Sequence, residues 1–226
     1  MNTRELTKKV KLEFTQNGLP GLIRKIIGRA QRALFYSTCS IFYELKLDNP
    51  LSRFTPALNI QTDFMINKKY GLIDWLDKNK DSFPWIYSNK EIESALSNKH
   101  LFVAVKYEKE IIGFVKIGIG PTYLRDFDKT FVLEPGTAFV YDTFILPAYR
   151  SRGLASYAVN EVALYLQKQG YNRIICHIEG WNTPSIKAFT KVGFTAKETI
   201  RFIKITFISF YLINGRVPLT KIDKVL

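Results

Sequence analysis

Two cysteines and two histidines are all that this 226-residue chain offers a soft metal. Cys39 and Cys176 each fall in an apolar, strand-like stretch. They read as reduced core residues of a cytoplasmic protein, not as a disulfide or a ligand pair. So few thiols and imidazoles argue against a dedicated transition-metal site. Long apolar runs are missing as well. ITFISFYLI falls short of the roughly 18 residues that a membrane span needs. The opening MNTRELTKKVKLEF lacks the apolar core of a secretory signal. There is no low-complexity tract and no repeat at solenoid periods. Hydrophobic residues make up 46% of the chain, which is enough for one packed core and marginal for two.

Acid is scarce relative to base. Thirty-three Lys and Arg face twenty Asp and Glu, a net charge of +13. That balance favours an anionic partner: nucleic acid, an acidic membrane surface or a phosphorylated small molecule. No nucleic-acid motif and no regular aromatic–basic interleaving accompanies it, which argues against nucleic acid. Residues 1–36 carry eight basic and two acidic side chains, so +6 lies in that segment. In LPGLIRKIIGRAQRALFY (19–36), apolar residues at 19, 22, 23, 26, 27, 30, 33 and 34 keep helical spacing. Arg24, Lys25, Arg29 and Arg32 take the other face. The spacing predicts an amphipathic helix whose basic face is either solvated or turned to a partner or membrane surface. We divide the chain into a basic N-terminal extension, 1–36, and one domain, 37–226.

Within that domain STCSIFYELKL (37–47) reads as a strand. LIDWLDKNKD (72–81) reads as a helix. Ser88 and Glu91 stand at capping-box spacing and predict a short helix over 88–99. LFVAVKYE and IIGFVKIGIG form a hairpin pattern around Glu108–Glu110. PTYLRDFDKTFVLEPG is an excursion before GTAFVYDTFILP returns as a strand. A helix follows from Gly153 to Gln169, stopped by Gly170. Then come strand YNRIICHIE, a helix N-capped by Thr183 with Pro184 first in the helix, and a stop at Gly193. ETIRFIKITFISFYLI closes the chain as one long strand or a strand pair, which also offers a homodimer contact. The order predicts an α/β domain (of α+β type) with a central mixed sheet.

The stretch ILPAYRSRGLA (145–155) runs from an apolar strand through two arginines and a glycine into a helix. A helix start exposes unpaired N–H groups and partial positive charge, which attract phosphate. Gly153 would let backbone approach closely, and Arg150 and Arg152 add cations. This stretch resembles the coenzyme A signature R/Q-x-x-G-x-G/A of the GNAT acetyltransferase superfamily. NTPSIKAFTKVGF (182–194) resembles that family's second signature, N-x-x-A-x-x-x-Y-x-x-x-G-F. The resemblance spans roughly 37–213 and is specific from 139 to 194. It implies a mostly antiparallel sheet whose fourth and fifth strands splay apart to admit acetyl-CoA as cosubstrate. It also implies that backbone at Phe144, Ile145 and Leu146 pairs with the pantetheine. The pyrophosphate would lie on the amides of Arg150, Ser151, Arg152, Gly153, Leu154 and Ala155. Asn182 and Ser185 would flank the sulfur, and Lys191 would reach a coenzyme phosphate.

The chain departs from the family at Phe189, where many members carry a tyrosine acid. Phenylalanine donates no proton. Either water or another residue protonates the leaving thiolate, or the chain is a coenzyme-binding module without chemistry. A thiol pKa of about 8.5 makes the thiolate a tolerable leaving group without an acid. For the base, His177 and Asp142 stand open, each with a structural alternative. Glu179 and Tyr141 are lesser candidates on the substrate side. The excess positive charge suits an anionic acceptor. A nucleotide-linked amino sugar of surface-polysaccharide synthesis fits that demand, and peptide or small amines stand as alternatives. The basic leader would suit work at an inner membrane surface.

Overall fold

The computed structural model describes residues 35–55, 60–64, 74–76, 78–79, 100–127 and 129–214. The helix expected over 19–36 lies outside these residues except for its last two, Phe35 and Tyr36, which are strand and not helix, and the helix expected over 88–99 lies wholly outside them. Asp74, Trp75 and Leu76 are helical, as the sequence predicts for that segment.

Beside that helical segment, ten strands and two complete α-helices follow in chain order among the described residues. They are β1 (Phe35–Lys46), β2 (Ile60–Phe64), β3 (Leu101–Tyr107), β4 (Glu110–Ile119), β5 (Thr122–Leu124), β6 (Lys129–Phe131) and β7 (Thr137–Ile145). Then come α1 (Leu154–Lys168), β8 (Arg173–Glu179), α2 (Thr183–Val192), β9 (Thr195–Ile205) and β10 (Ile208–Ile213). Eight strands form one sheet in the order β10-β9-β1-β8-β7-β4-β3-β2, and β5 and β6 form a small separate ribbon. β7 and β8 are parallel, and the other pairs in the sheet are antiparallel. The closing segment is therefore a strand pair, turned at Thr206, whose φ is +53°. β3 and β4 are joined through Glu108 and Lys109, both with positive φ, as a two-residue hairpin turn with right-handed strand twist requires.

Strand alternation sends side chains to two faces, and each face has its own cover. On one, Val103, Val115, Val140 and Cys176 pack against Leu154, Ala158, Val162 and Leu166 of α1 and Phe189 and Val192 of α2. The other face is aromatic. Phe42, Phe139 and Phe202 meet Leu124, Phe127 and Phe131 from the β5–β6 ribbon. The excursion seen in the sequence is thus a lid on the sheet, and the Tyr211 hydroxyl pins it by donating to the Phe127 carbonyl at 2.7 Å. We call these the helix face and the ribbon face.

α2 begins one residue earlier than the sequence suggests. Asn182, not Thr183, is its N-cap, because the longer amide side chain reaches the Ser185 N–H at 3.3 Å. Gly193 closes the helix at φ +109°, a conformation that strains any residue with a Cβ.

Gly113 lies opposite Ile145 in the β4–β7 ladder. A Cβ there would lie 2.3 Å from the Phe144 carbonyl oxygen and 2.7 Å from Ile145 Cδ1. Gly113→Ala should therefore push β7 off β4 and destabilise the fold by about 2 kcal/mol. Urea unfolding at neutral pH measures the loss, and an unchanged midpoint would mean that β7 shifts freely.

Candidate active site

The parallel ladder between β7 and β8 is short. It runs from Thr137 opposite Arg173 to Val140 opposite Cys176, and stops. β7 continues to Ile145 and β8 to Glu179, so a gap opens between them. The cause lies on the other edge of β7. There Val140 pairs with Ile117 and Asp142 with Lys116, which leaves Tyr141 as an extra, bulged residue. A bulge bends its strand and increases local twist, and here it turns β7 away from β8.

The Leu146 N–H donates to the Ile112 carbonyl at 2.8 Å and so points at β4. By alternation the Ile145 N–H points the other way, into the gap. The Thr143 hydroxyl is buried with no partner among the described residues. Thr143 shares its face with Val115, its neighbour across the ladder, on the helix side. The gap thus holds an outward amide and an orphaned hydroxyl.

At its end β7 passes through a 3-10 turn, Pro147–Tyr149, into the arginine loop. Ser151 and Gly153 have φ of +63° and +73°. Space around Gly153 is open, so the demand for glycine here is conformational rather than steric. The first intrahelical bond of α1 runs from the Tyr157 N–H to the Gly153 carbonyl at 3.0 Å. The amides of Gly153, Leu154, Ala155 and Ser156 therefore precede the helical ladder and face outward.

Arg150 is engaged with the protein itself. Its Nε donates to the Ile145 carbonyl at 2.9 Å, and its guanidinium lies 5.3 Å from the Phe144 ring centroid. Arg152 lies over Tyr149 at 5.9 Å. Both arginines shape the loop as well as charging it. Asn182 and Ser185 stand at the start of α2, just past the end of β8. Phe189 is buried edge-on against Phe194, with centroids 5.0 Å apart. Lys191 packs over Phe54 at 5.6 Å.

The titratable candidates sit on the ribbon face. Asp142 is opposite Lys116 on the β7 bank, where burial pushes its carboxyl up to about 7. His177, on the β8 bank, is stacked at 5.7 Å on Phe42 and ringed by Phe127 and Phe139 at 5.4 and 5.8 Å. Burial drives its imidazole down to about 4, so it is neutral at physiological pH. Its Nε2 is 3.9 Å from Asp126 Oδ2, too long for a hydrogen bond, and its Nδ1 has no partner among the described residues. Burial raises Tyr141 to about 12.

Sequence reasoning passed over three residues here. Lys116 sits mid-strand in an apolar run, with Nζ 4.6 Å over the Tyr141 ring. His100 is buried 5.3 Å from the same ring, and burial followed by the Lys116 charge lowers it to about 4. The Pro121 carbonyl opposes that shift but makes no well-formed hydrogen bond with the imidazole. Asp126 rides on the ribbon and becomes a neighbour only when the ribbon folds over. A lone polar residue inside an apolar run was the available signal for Lys116.

Both imidazoles titrate below unfolded histidine at about 6.5, so the unfolded chain takes up protons first and stability falls as pH drops from 6.5 towards 4. Asp142 works the other way: its raised value stabilises the fold as pH falls below 7, and partly offsets the loss. The His177 shift corresponds to up to about 3 kcal/mol. His177→Phe keeps the ring packing and should flatten the fall in Tm between pH 6.5 and 4.5. A slope equal to the wild type would show that the imidazole is not desolvated.

Comparison with known proteins agrees with this geometry. The model of the acetyltransferase (GNAT) family matches residues 66–194. Mycothiol acetyltransferase of Corynebacterium glutamicum is 24% identical over 143 residues, covering 59% of this chain and 44% of that protein. The chain thus spans less than half the length of the curated relatives it matches. Among solved structures, a GCN5-related N-acetyltransferase of Sphaerobacter thermophilus superposes with a TM-score of 0.55 at 11% identity, covering 92% of this chain and 60% of that one. A Drosophila protein gives 0.52 at 13% identity, covering 83% and 58%. With the family model spanning more than half of its length, this chain belongs to the GNAT acetyltransferase family.

Proposed function

We propose that the chain transfers an acetyl group from acetyl-CoA to a primary amine, by direct attack in a ternary complex. The observation that carries this reading is the gap between β7 and β8. It opens on the helix face beside the free amides of α1 and on the ribbon face beside Asp142. The coenzyme's phosphates fit the first opening, where amides and the helix dipole supply donors and positive potential. Its extended arm fits the strand edge at Thr143 and Ile145, which would satisfy the orphaned hydroxyl and the outward amide. The acceptor is left with the ribbon face.

The chemistry then follows from position. The amine nitrogen bonds to the thioester carbonyl carbon, the carbon–sulfur bond breaks, and the amine proton needs an acceptor. Asp142 suits that task, since a carboxylate near 7 is half ionised at neutral pH and holds a proton well. His177, held near 4, is the weaker base. A backbone N–H on this same strand edge, upstream of the amide that the arm takes, would donate to the developing oxyanion. Phe189 supplies no acid, and the thiolate leaves to solvent.

Two acceptor classes follow from charge. The overall +13 favours a nucleotide-linked amino sugar, whose diphosphate would answer the excess of cations. The acidic side chains beside the gap favour a cationic amine, which is taken up below. No helix among the described residues is long and apolar enough to cross a membrane. The basic leader suits peripheral contact with an anionic surface.

Thiol release from acetyl-CoA, measured across a panel of amines, tests the activity. Tight coenzyme binding with no turnover would leave a binding module only. In the active enzyme the rate should rise as pH passes through about 7. Asp142→Asn should cut kcat by about 10²–10⁴-fold and abolish that limb, with KM for acetyl-CoA little changed. A variant that keeps the limb would clear Asp142 of the base role.

A further inference from the structure

We propose that the acceptor carries a second, cationic amine, bound on the ribbon face by Glu179 and Asp126, with Trp181 at the lip of that subsite. The inference rests on the acetyltransferase reading and names the substrate class that the same gap takes.

β8 outruns its pairing with β7 after Cys176, so His177 and Glu179 form one bank of the gap on its ribbon face. Asp126 comes down from the ribbon to within 3.9 Å of His177. The two carboxylates are near enough to feel each other. Burial first, and then the Asp126 charge, raise Glu179. Tyr36, across on β1, is raised by burial, by Asp126 and more weakly by Glu179. Among the described residues, the charged group that acts on Glu179 is another carboxylate, Asp126, and no lysine or arginine joins it.

A second, independent observation points to a ligand. Ser40 stands directly opposite Glu179 across the β1–β8 ladder and therefore on the same face. It is fully buried at 0% exposure, and its hydroxyl has no hydrogen-bond partner among the described residues. A buried hydroxyl that must be satisfied thus shares its face with Glu179 and has no partner among the described residues. Beyond it, Trp181 is 76% exposed, two residues past Glu179, with its indole N–H close enough to favour the charged carboxylate.

Two carboxylates, a hydroxyl and an open aromatic surface recognise an ammonium group. A phosphate placed there would meet repulsion. The reacting amine must be neutral when it attacks, so the charge read here belongs to a second nitrogen of the same molecule. The fitting class is a small diamine or polyamine.

Acetyl transfer is compared for 1,4-diaminobutane, butylamine and a UDP-linked amino sugar. The diamine should show a kcat/KM at least tenfold above butylamine at low salt, and the advantage should shrink as salt rises. Glu179→Gln and Trp181→Ala should each raise KM for the diamine. For Glu179→Gln the effect should be at least tenfold larger on the diamine than on the monoamine. Equal preference for the two amines, or preference for the UDP sugar, overturns the proposal. So does an equal effect of Glu179→Gln on both amines. If no amine is acetylated, calorimetric titration of the CoA-loaded protein with 1,4-diaminobutane separates the readings. Binding that Glu179→Gln abolishes keeps the subsite although the activity fails, and absence of binding sinks the subsite.

Discussion

The site depends on an interruption: the parallel ladder between β7 and β8 ends after Val140 and Cys176. An ordinary sheet would zip these strands to their ends, because unpaired backbone groups in a core are costly. Here Tyr141, the extra residue in β7, sets the strand's bend, and β4 holds the rest of β7 in place through Ile145. The sheet is thus continuous on one edge of β7 and open on the other. Strand backbone that would have been internal becomes a surface able to pair with an extended ligand, and the phosphate-competent start of α1 lies at its end.

The two mouths of the gap differ in electrical character. On the helix face, the outward amides of α1 and Arg152, held over Tyr149, make a positive environment. On the ribbon face stand Asp126, Glu179 and Asp142, with Lys116 opposite Asp142, and burial holds the Glu179 and Asp142 carboxyls partly desolvated. The net charge of the chain describes neither mouth. A protein can be basic overall and still present an acidic recess, because a recess is governed by neighbours within a few ångströms and the average by side chains screened in solvent.

Much of the fold was legible in residue order. The hairpin turn at Glu108–Lys109, the glycine stops at Gly170 and Gly193 and the helix after Gly153 are local features, fixed by backbone conformations that few residues adopt. The junction of strand, arginines and glycine that leads into α1 was legible for the same reason, as its residues are consecutive in the chain. The ribbon-face side of the gap was not. Asp126, Lys116 and His100 are brought to the gap by strand register and by the folding of the ribbon over the sheet, and nothing in their spacing announces it. Asp142 and His177 were visible as candidates, but their protonation was not, because burial sets it. Strand alternation by itself misassigned nothing at β7, yet it could not orient Asp142 until the bulge at Tyr141 was located.

β1 lies in the middle of the sheet, hydrogen-bonded to β8 on one side and to β9 on the other. Both partners come far later in the chain: β8 starts at Arg173 and β1 ends at Lys46, a separation of 127 residues. On a ribosome adding about 5–20 residues per second, β1 would wait roughly 6–25 seconds for its first neighbour. The hydrophobic pattern that suits a central strand makes it a poor solitary one in that interval, open to pairing with the wrong edge. Among the described strands, the first to be synthesised is thus among the last to be paired, and the C-terminal half of the chain acts on it as a clamp that closes late.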